Sequence, residues 1–264
     1  MNRIRLTGNA VKNHEKLFPN HESKLQKTDP EFIERFDNWA FDEVIGQSKL
    51  EAKTRVMMIL ASTIASQALG EYKVMLGAAL NVGLTPVEIK EILYQSVPYV
   101  GIAKVFDFLH ATNELLQSKG VDLPLEGQST TTPETRYEKG LALQKAIFGE
   151  MIDKMRGQSP KDQMHIQNFL AANCFGDYYT RNGLDIKTRE LLTFAMLVSL
   201  GGCEPQVKGH VAGNLNAGND RECLVDVVTQ LLPYIGYPRT LNALRAIDEV
   251  VPLASTTGAA GSGL

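Results

Sequence analysis

Leu80-Asn81-Val82-Gly83 returns 135 residues later as Leu215-Asn216-Ala217-Gly218, and the shift holds well beyond that tetrad. Gln95, Pro98, Tyr99 and Gly101 recur as Gln230, Pro233, Tyr234 and Gly236, and Leu109 recurs as Leu244. Upstream, Lys53-Thr54-Arg55 matches Lys187-Thr188-Arg189 at a shift of 134, so the second copy gains one residue near Gly201-Gly202. Helix breakers, turn residues and polar positions agree over about 60 residues, which points to an internal duplication. Two copies are too few for a solenoid. They predict a fused dimer in which like helices pack about a pseudo-twofold axis.

The pattern inside each copy is helical, and alternating runs of the kind strands need are scarce. The chain is therefore expected to be all-α. Thr28-Asp29-Pro30-Glu31 predicts a capped helix start. Residues 51–69 predict one long helix, apolar nearly all round after Arg55 and hence buried. A second helix is expected over 71–81, stopped at Gly83, and Thr85-Pro86-Val87-Glu88 opens a third with a capping box. Pro98 is expected to end it, with a fourth over 101–119. Residues 121–133, with Gly127, Ser129, three threonines and two prolines, form a linker. Beyond it, helices are expected over 134–155 and from Ser159-Pro160 to near Cys174. The organisation predicted is an extension (1–30), a first repeat (31–120), the linker, a second repeat (134–252) and a small, Gly-rich, disordered tail (253–264).

Composition narrows the function classes. Lys plus Arg total 27 against 30 Asp plus Glu, so no basic excess invites nucleic acid. No apolar stretch reaches the roughly 18 to 20 residues that span a bilayer, and residues 1–9 lack the apolar core of a signal peptide. Three cysteines, Cys174, Cys203 and Cys223, follow no disulfide framework, which suits a reducing, cytoplasmic setting. His14, His21, His110 and His165 have no ligand spacing, so no metal site and no cofactor are expected.

The chemistry-bearing residues sit in the second copy. Glu190 opens a buried helix, and after Gly201-Gly202 comes Cys203-Glu204-Pro205-Gln206-Val207-Lys208-Gly209-His210. Cys203, Gln206 and His210 are spaced three and four apart and share one helical side. An imidazole that titrates near neutrality, beside a thiol and a carboxylate, suits proton transfer. In the first copy the matching positions are Val56, Ala68, Glu71 and Met75, so that half is expected to supply packing rather than chemistry.

Thr188-Arg189-Glu190-Leu191-Leu192, His210, the Leu-Asn-Ala-Gly tetrad and Pro233-Tyr234-Ile235-Gly236-Tyr237-Pro238 together resemble the carboxymuconolactone decarboxylase family, which includes the AhpD-related thiol peroxidases. The resemblance implies an all-helical fold and rings of single-repeat subunits, hence here a homo-oligomer of three chains forming a pseudo-hexameric ring. It implies three open readings for a chain acting on a small molecule. As a decarboxylase of a small cyclic or lactone acid, His210 is the acid, Glu190 orients it, and Arg189, Lys208 or Arg239 holds carboxylates, with Gln206 in the substrate pocket. As a peroxidase, Cys203 stands at the first of two family cysteines and Gln206 replaces the second, leaving Cys174 or Cys223 to resolve a sulfenic acid. The third reading is a non-catalytic binding or assembly protein on the same fold.

Overall fold

The computed structural model describes residues 4–21 and 23–253. The tail expected to be disordered lies outside them from residue 254 onward. Every regular element among the described residues is helical: α1 (Gly8–Leu17), α2 (Leu25–Thr28), α3 (Pro30–Asn38, prolonged by a wide π turn Trp39–Val44), α4 (Ala52–Ala65), α5 (Leu69–Asn81), α6 (Pro86–Val100), α7 (Ile102–Ser118), α8 (Arg136–Phe148), α9 (Met151–Gln158), α10 (Met164–Phe169, prolonged as π helix Leu170–Tyr179), α11 (Ile186–Leu200), α12 (Glu204–Asn216) and α13 (Arg221–Val250, broken at Gly236).

The core is the pair α4 and α11, the two copies of one helix. From Arg55 to Ala65 and from Arg189 to Ser199 every residue is buried, as an all-round apolar pattern demands. Met58, Leu60, Ile64, Phe194 and Met196 are fully enclosed, each contributing about 1.5–3 kcal/mol by leaving water. Ser199 donates across the seam to Ser62 at 2.7 Å, satisfying hydroxyls that would otherwise be orphaned.

Each half reaches into the other. Gln95 donates to the Arg189 carbonyl and to Thr193, and its repeat counterpart Gln230 donates to the Val44 carbonyl. The duplication also extends upstream of the sequence motifs. Asn81 donates to the Leu17 carbonyl at the end of α1, and Asn216 donates to the Ile147 carbonyl at the end of α8. Each half thus docks a preceding helix through the same asparagine, with Phe18 and Phe148 next in the chain.

Several boundaries differ from expectation. Thr28 caps nothing: its hydroxyl is spent on Asp29, and α3 starts at Pro30 without a side-chain cap. The capped N-terminal helix is instead α1, where Thr7 accepts from the Ala10 N–H. The long 51–69 helix stops at Ala65. Helix α6 carries Pro98 and ends only at Gly101, whose φ of +84° an L side chain resists, because a proline near a C-terminus removes one hydrogen bond without forcing a turn. Gly149 (φ +65°) likewise divides the expected 134–155 helix into α8 and α9. The helix expected to end near Cys174 runs on to Tyr179.

Helix α8 lies unusually close to α10. A Cβ on Gly140 would stand 1.9 Å from the Ala171 carbonyl oxygen, and one on Gly176 would stand 2.1 Å from that of Arg136. Only hydrogens fit at this crossing. It brings Gln144, Phe148, Cys174 and Phe175 to the wall of one cavity.

Candidate active site

Helices α11 and α12 bring the expected acid and imidazole together. Asp185 caps α11 by accepting from the Thr188 N–H at 2.7 Å, which fixes the turn before Glu190. Pro205 in the first turn of α12 sets its direction, and the four-residue spacing then aims Gln206, His210 and Asn214 along one side. His210 Nδ1 lies 2.9 Å from Glu190 Oε2. Glu190 is fully buried and His210 13% exposed, so the carboxylate sits behind the ring and the ring faces the opening. With Nδ1 held by the carboxylate, Nε2 is the nitrogen left to meet a ligand.

Neighbours fix the pair. Phe148 and Tyr99 meet the imidazole edge-on at centroid distances of 5.3 and 5.9 Å. Asn214 donates to the carbonyls of both Glu190 and His210, bolting α12 to α11, and itself accepts from Asn219. Gly213 leaves the space Glu190 fills: a Cβ there would stand 2.5 Å from Glu190 Oε2 and 2.7 Å from Phe148 Cε1. Behind the ring, Tyr99 donates to Tyr179, which pairs with Thr193. Burial pushes both phenols well above the ordinary tyrosine range, so they remain neutral.

The imidazole opens on a cavity of about 430 Å³ between α8, α9, α10 and α12, and α6 of the first half contributes Pro98 and Tyr99. Its walls are apolar, with Phe148, Met151, Ile152, Met155, Leu170 and Leu197 prominent. Among the described residues, no lysine or arginine lines it.

Each other candidate has a definite place. Gln206 lines the cavity from an exposed position. Cys203 lines it too, its Sγ donating to the Leu197 carbonyl at 3.3 Å, and burial with nearby Glu204 lifts the thiol above its ordinary pKa. Cys174 lines the same cavity, and burial pushes it up to about 12. Cys223 is not among the lining residues; its thiol faces Asn219. The expected cations are elsewhere. Arg189 is fully buried on the far side of α11, paired with Glu91 at 3.0 Å and hydrogen-bonded to Gln95 and two carbonyls, so it ties the halves together instead of meeting substrate. Arg239 is exposed and flanks a neighbouring groove with Gly201, Glu204 and Asn242, while Lys208 pairs with Glu249.

Sequence reasoning did not single out Tyr99, Phe148, Gly213 and Asn214 as site residues. Tyr99 carried a usable signal, because it repeats as Tyr234. Tyr99 faces His210 across the halves, and Tyr234 faces Met75 Sδ at 4.0 Å in the same relation. The first half therefore keeps the geometry around a buried methionine.

An all-α chain built from two copies of one helical unit, with a histidine–carboxylate pair in only one of them, defines a class of duplicated helical proteins. The chain belongs to the carboxymuconolactone decarboxylase family, whose model matches residues 30–114 and again 165–249. It is 29% identical over 118 residues to the 4-carboxymuconolactone decarboxylase of Acinetobacter baylyi, a match spanning 44% of this chain and 87% of that one. It is 34% identical over 77 residues to an uncharacterized 15.0 kDa protein of the nqo9–nqo10 intergenic region in Paracoccus denitrificans, covering 29% of this chain and 58% of that protein. A crystal structure from Burkholderia xenovorans, provisionally named a gamma-carboxymuconolactone decarboxylase subunit, shares the fold with a TM-score of 0.51 at 20% identity, over 89% of this chain and 93% of that one. No helix among the described residues is long and apolar enough to cross a membrane.

Proposed function

We propose that this protein is a decarboxylase-like enzyme in which His210 transfers a proton to carbon on a small, largely apolar cyclic or lactone acid. The observation that carries this reading is the buried Glu190 behind His210 at the mouth of an apolar cavity. In the reaction envisaged, the bond to the carboxylate breaks, carbon dioxide leaves, and the electron pair passes into the adjacent carbonyl system as an enolate. The protonated imidazole then gives its Nε2 proton to the carbon, and Glu190 stabilises the imidazolium form that precedes transfer. A cavity without cations leaves the carboxylate poorly solvated, whereas the transition state, with its charge spread over carbon and oxygen, suffers less. The same feature favours a substrate with a single carboxylate over one with several.

The peroxidase reading is supported by Cys174 and Cys203 sharing the cavity with His210, and opposed by the burial that keeps both thiols protonated. One experiment separates the readings: incubation with carboxylated lactones, following loss of ring absorbance, beside hydroperoxide with a dithiol. Lactone turnover abolished by His210→Gln supports the decarboxylase. Peroxide consumption abolished by Cys203→Ser supports the peroxidase, and neither activity leaves a binding protein.

We further propose a cytoplasmic homo-oligomer of three chains. Ile102 and Phe106 at the start of α7 are more than half exposed, as are their repeat counterparts Tyr237 and Leu241 in α13. Two like apolar patches on one chain suit a closed ring.

A further inference from the structure

A second hollow, of about 530 Å³, lies where residues 123–128 cross α6 and α7. Its floor is charged. Lys90 is only 8% exposed, donates to Asn113 Oδ1, and has no carboxylate partner among the described residues. An ammonium carries three donors, so beyond the bond to Asn113 it can offer donors to a ligand in the hollow. Beside it, the Arg181 guanidinium lies 5.1 Å from the centre of the Tyr94 ring, and the Lys90 ammonium lies 5.7 Å from the same ring. Glu91 is the floor's one carboxylate, and it is shared between Arg181 and Arg189. Glu91 is neutralised from behind by the buried Arg189, which does not line the hollow, so Lys90 and Arg181 leave a positive surplus at its base. Desolvation also lowers the Lys90 pKa, which is the strain an incoming anion relieves.

The rim has the opposite sign. Glu114 and Glu126 line it and are exposed, while Leu123 and Leu125 supply apolar wall. Acids at the mouth repel an anion of high charge more than one of single charge.

We propose that this hollow is a second ligand site, for a small organic monocarboxylate whose carboxylate rests on the Lys90 ammonium beside Arg181 and whose apolar body packs on Leu123 and Leu125. The His210 cavity is lined by no cation among the described residues, so this hollow differs from it in offering an ammonium to a carboxylate. The site stands whether or not His210 proves catalytic.

The test uses the full chain with nitrogen-15 in its lysines and benzoate as probe, following the Lys90 ammonium resonance. That readout is local, so benzoate entering the His210 cavity leaves it unmoved. The expected result is a saturable shift, with a Kd on the order of 1 mM and inorganic phosphate at least about tenfold weaker. For the Lys90 variants, which lack the ammonium, nitrogen-15 is placed in the arginines and the Arg181 guanidinium Nε–H resonance at the same hollow is followed instead. Lys90→Met is expected to weaken binding at least about tenfold, while His210→Gln leaves it unchanged. If Lys90→Met does not fold, Lys90→Arg, which keeps the charge, is expected to bind benzoate within a few-fold of the natural chain. A Lys90 signal indifferent to benzoate, phosphate binding as tightly, or full affinity in Lys90→Met would each overturn the proposal.

Discussion

Gly213→Ala is the sharpest probe of how the histidine–carboxylate pair is held. The new Cβ would stand 2.5 Å from Glu190 Oε2 and 2.7 Å from Phe148 Cε1, where ordinary contact begins near 3.4 Å. Something must give by roughly 0.7 to 0.9 Å in a core packed like a crystal. Glu190 is fully buried and enclosed by α11 and α12, so it has no open direction, whereas Phe148 borders the cavity and can yield into it. Overpacking of this kind costs about 1–3 kcal/mol, which in a chain of this size is roughly a 2 to 5 °C fall in Tm. The larger consequence is chemical. A carboxylate displaced by that distance leaves the 2.9 Å contact with Nδ1, and loss of such an orienting partner typically reduces activity about 10- to 100-fold. Two readouts are needed together: calorimetry for Tm, and NMR for the His210 Nδ1–H proton, which a buried carboxylate protects from exchange. The expected variant is folded, modestly destabilised and without the protected proton. A variant with an unchanged Nδ1–H signal would refute the argument that the space at position 213 sets the Glu190–His210 contact.

Other expectations follow from the same packing and charge. Gly176→Ala drives a Cβ to 2.1 Å from the Arg136 carbonyl oxygen, so thermal unfolding should show about 3 kcal/mol of lost stability, near the upper end for overpacking. Cys174, held near 12 by burial, should stay unalkylated by iodoacetamide at about pH 8 in the native chain and react once denatured. Modification at both cavity cysteines, read by peptide mass spectrometry, is expected to rise with pH as the thiolate fraction grows; rapid labelling near neutrality would contradict the burial account. For the proposed ring, light scattering should give three chains, and Phe106→Glu with Leu241→Glu should shift the mass toward one chain. Unchanged mass would place the interface elsewhere.

The duplication was legible because helix stops and turn residues are short, local signals. The burial of α4 and α11 followed from their all-round apolarity, and the shared helical side of Gln206 and His210 followed from spacing. What the sequence left hidden depended on the third dimension. Arg189 adjoins Glu190 in the chain, yet on a helix successive residues point about 100° apart, and Arg189 turns to Glu91 in the other half. The cavity's wall comes from α8 to α10, from Gln144 to Phe175, far before His210 in the chain, so no local pattern linked Phe148 to the imidazole. Boundaries failed where proline was given too much weight and glycine too little, as at Pro98 against Gly101.

Where the proton lands is the most direct measure of whether His210 acts as the acid. With a carboxylated lactone turned over in deuterium oxide, the natural chain is expected to place a single deuterium on one face of the carbon that lost carbon dioxide, and His210→Gln to slow that step by about 10²- to 10⁴-fold. Deuterium distributed over both faces, or an undiminished rate in His210→Gln, would contradict a proton delivered from a fixed imidazole.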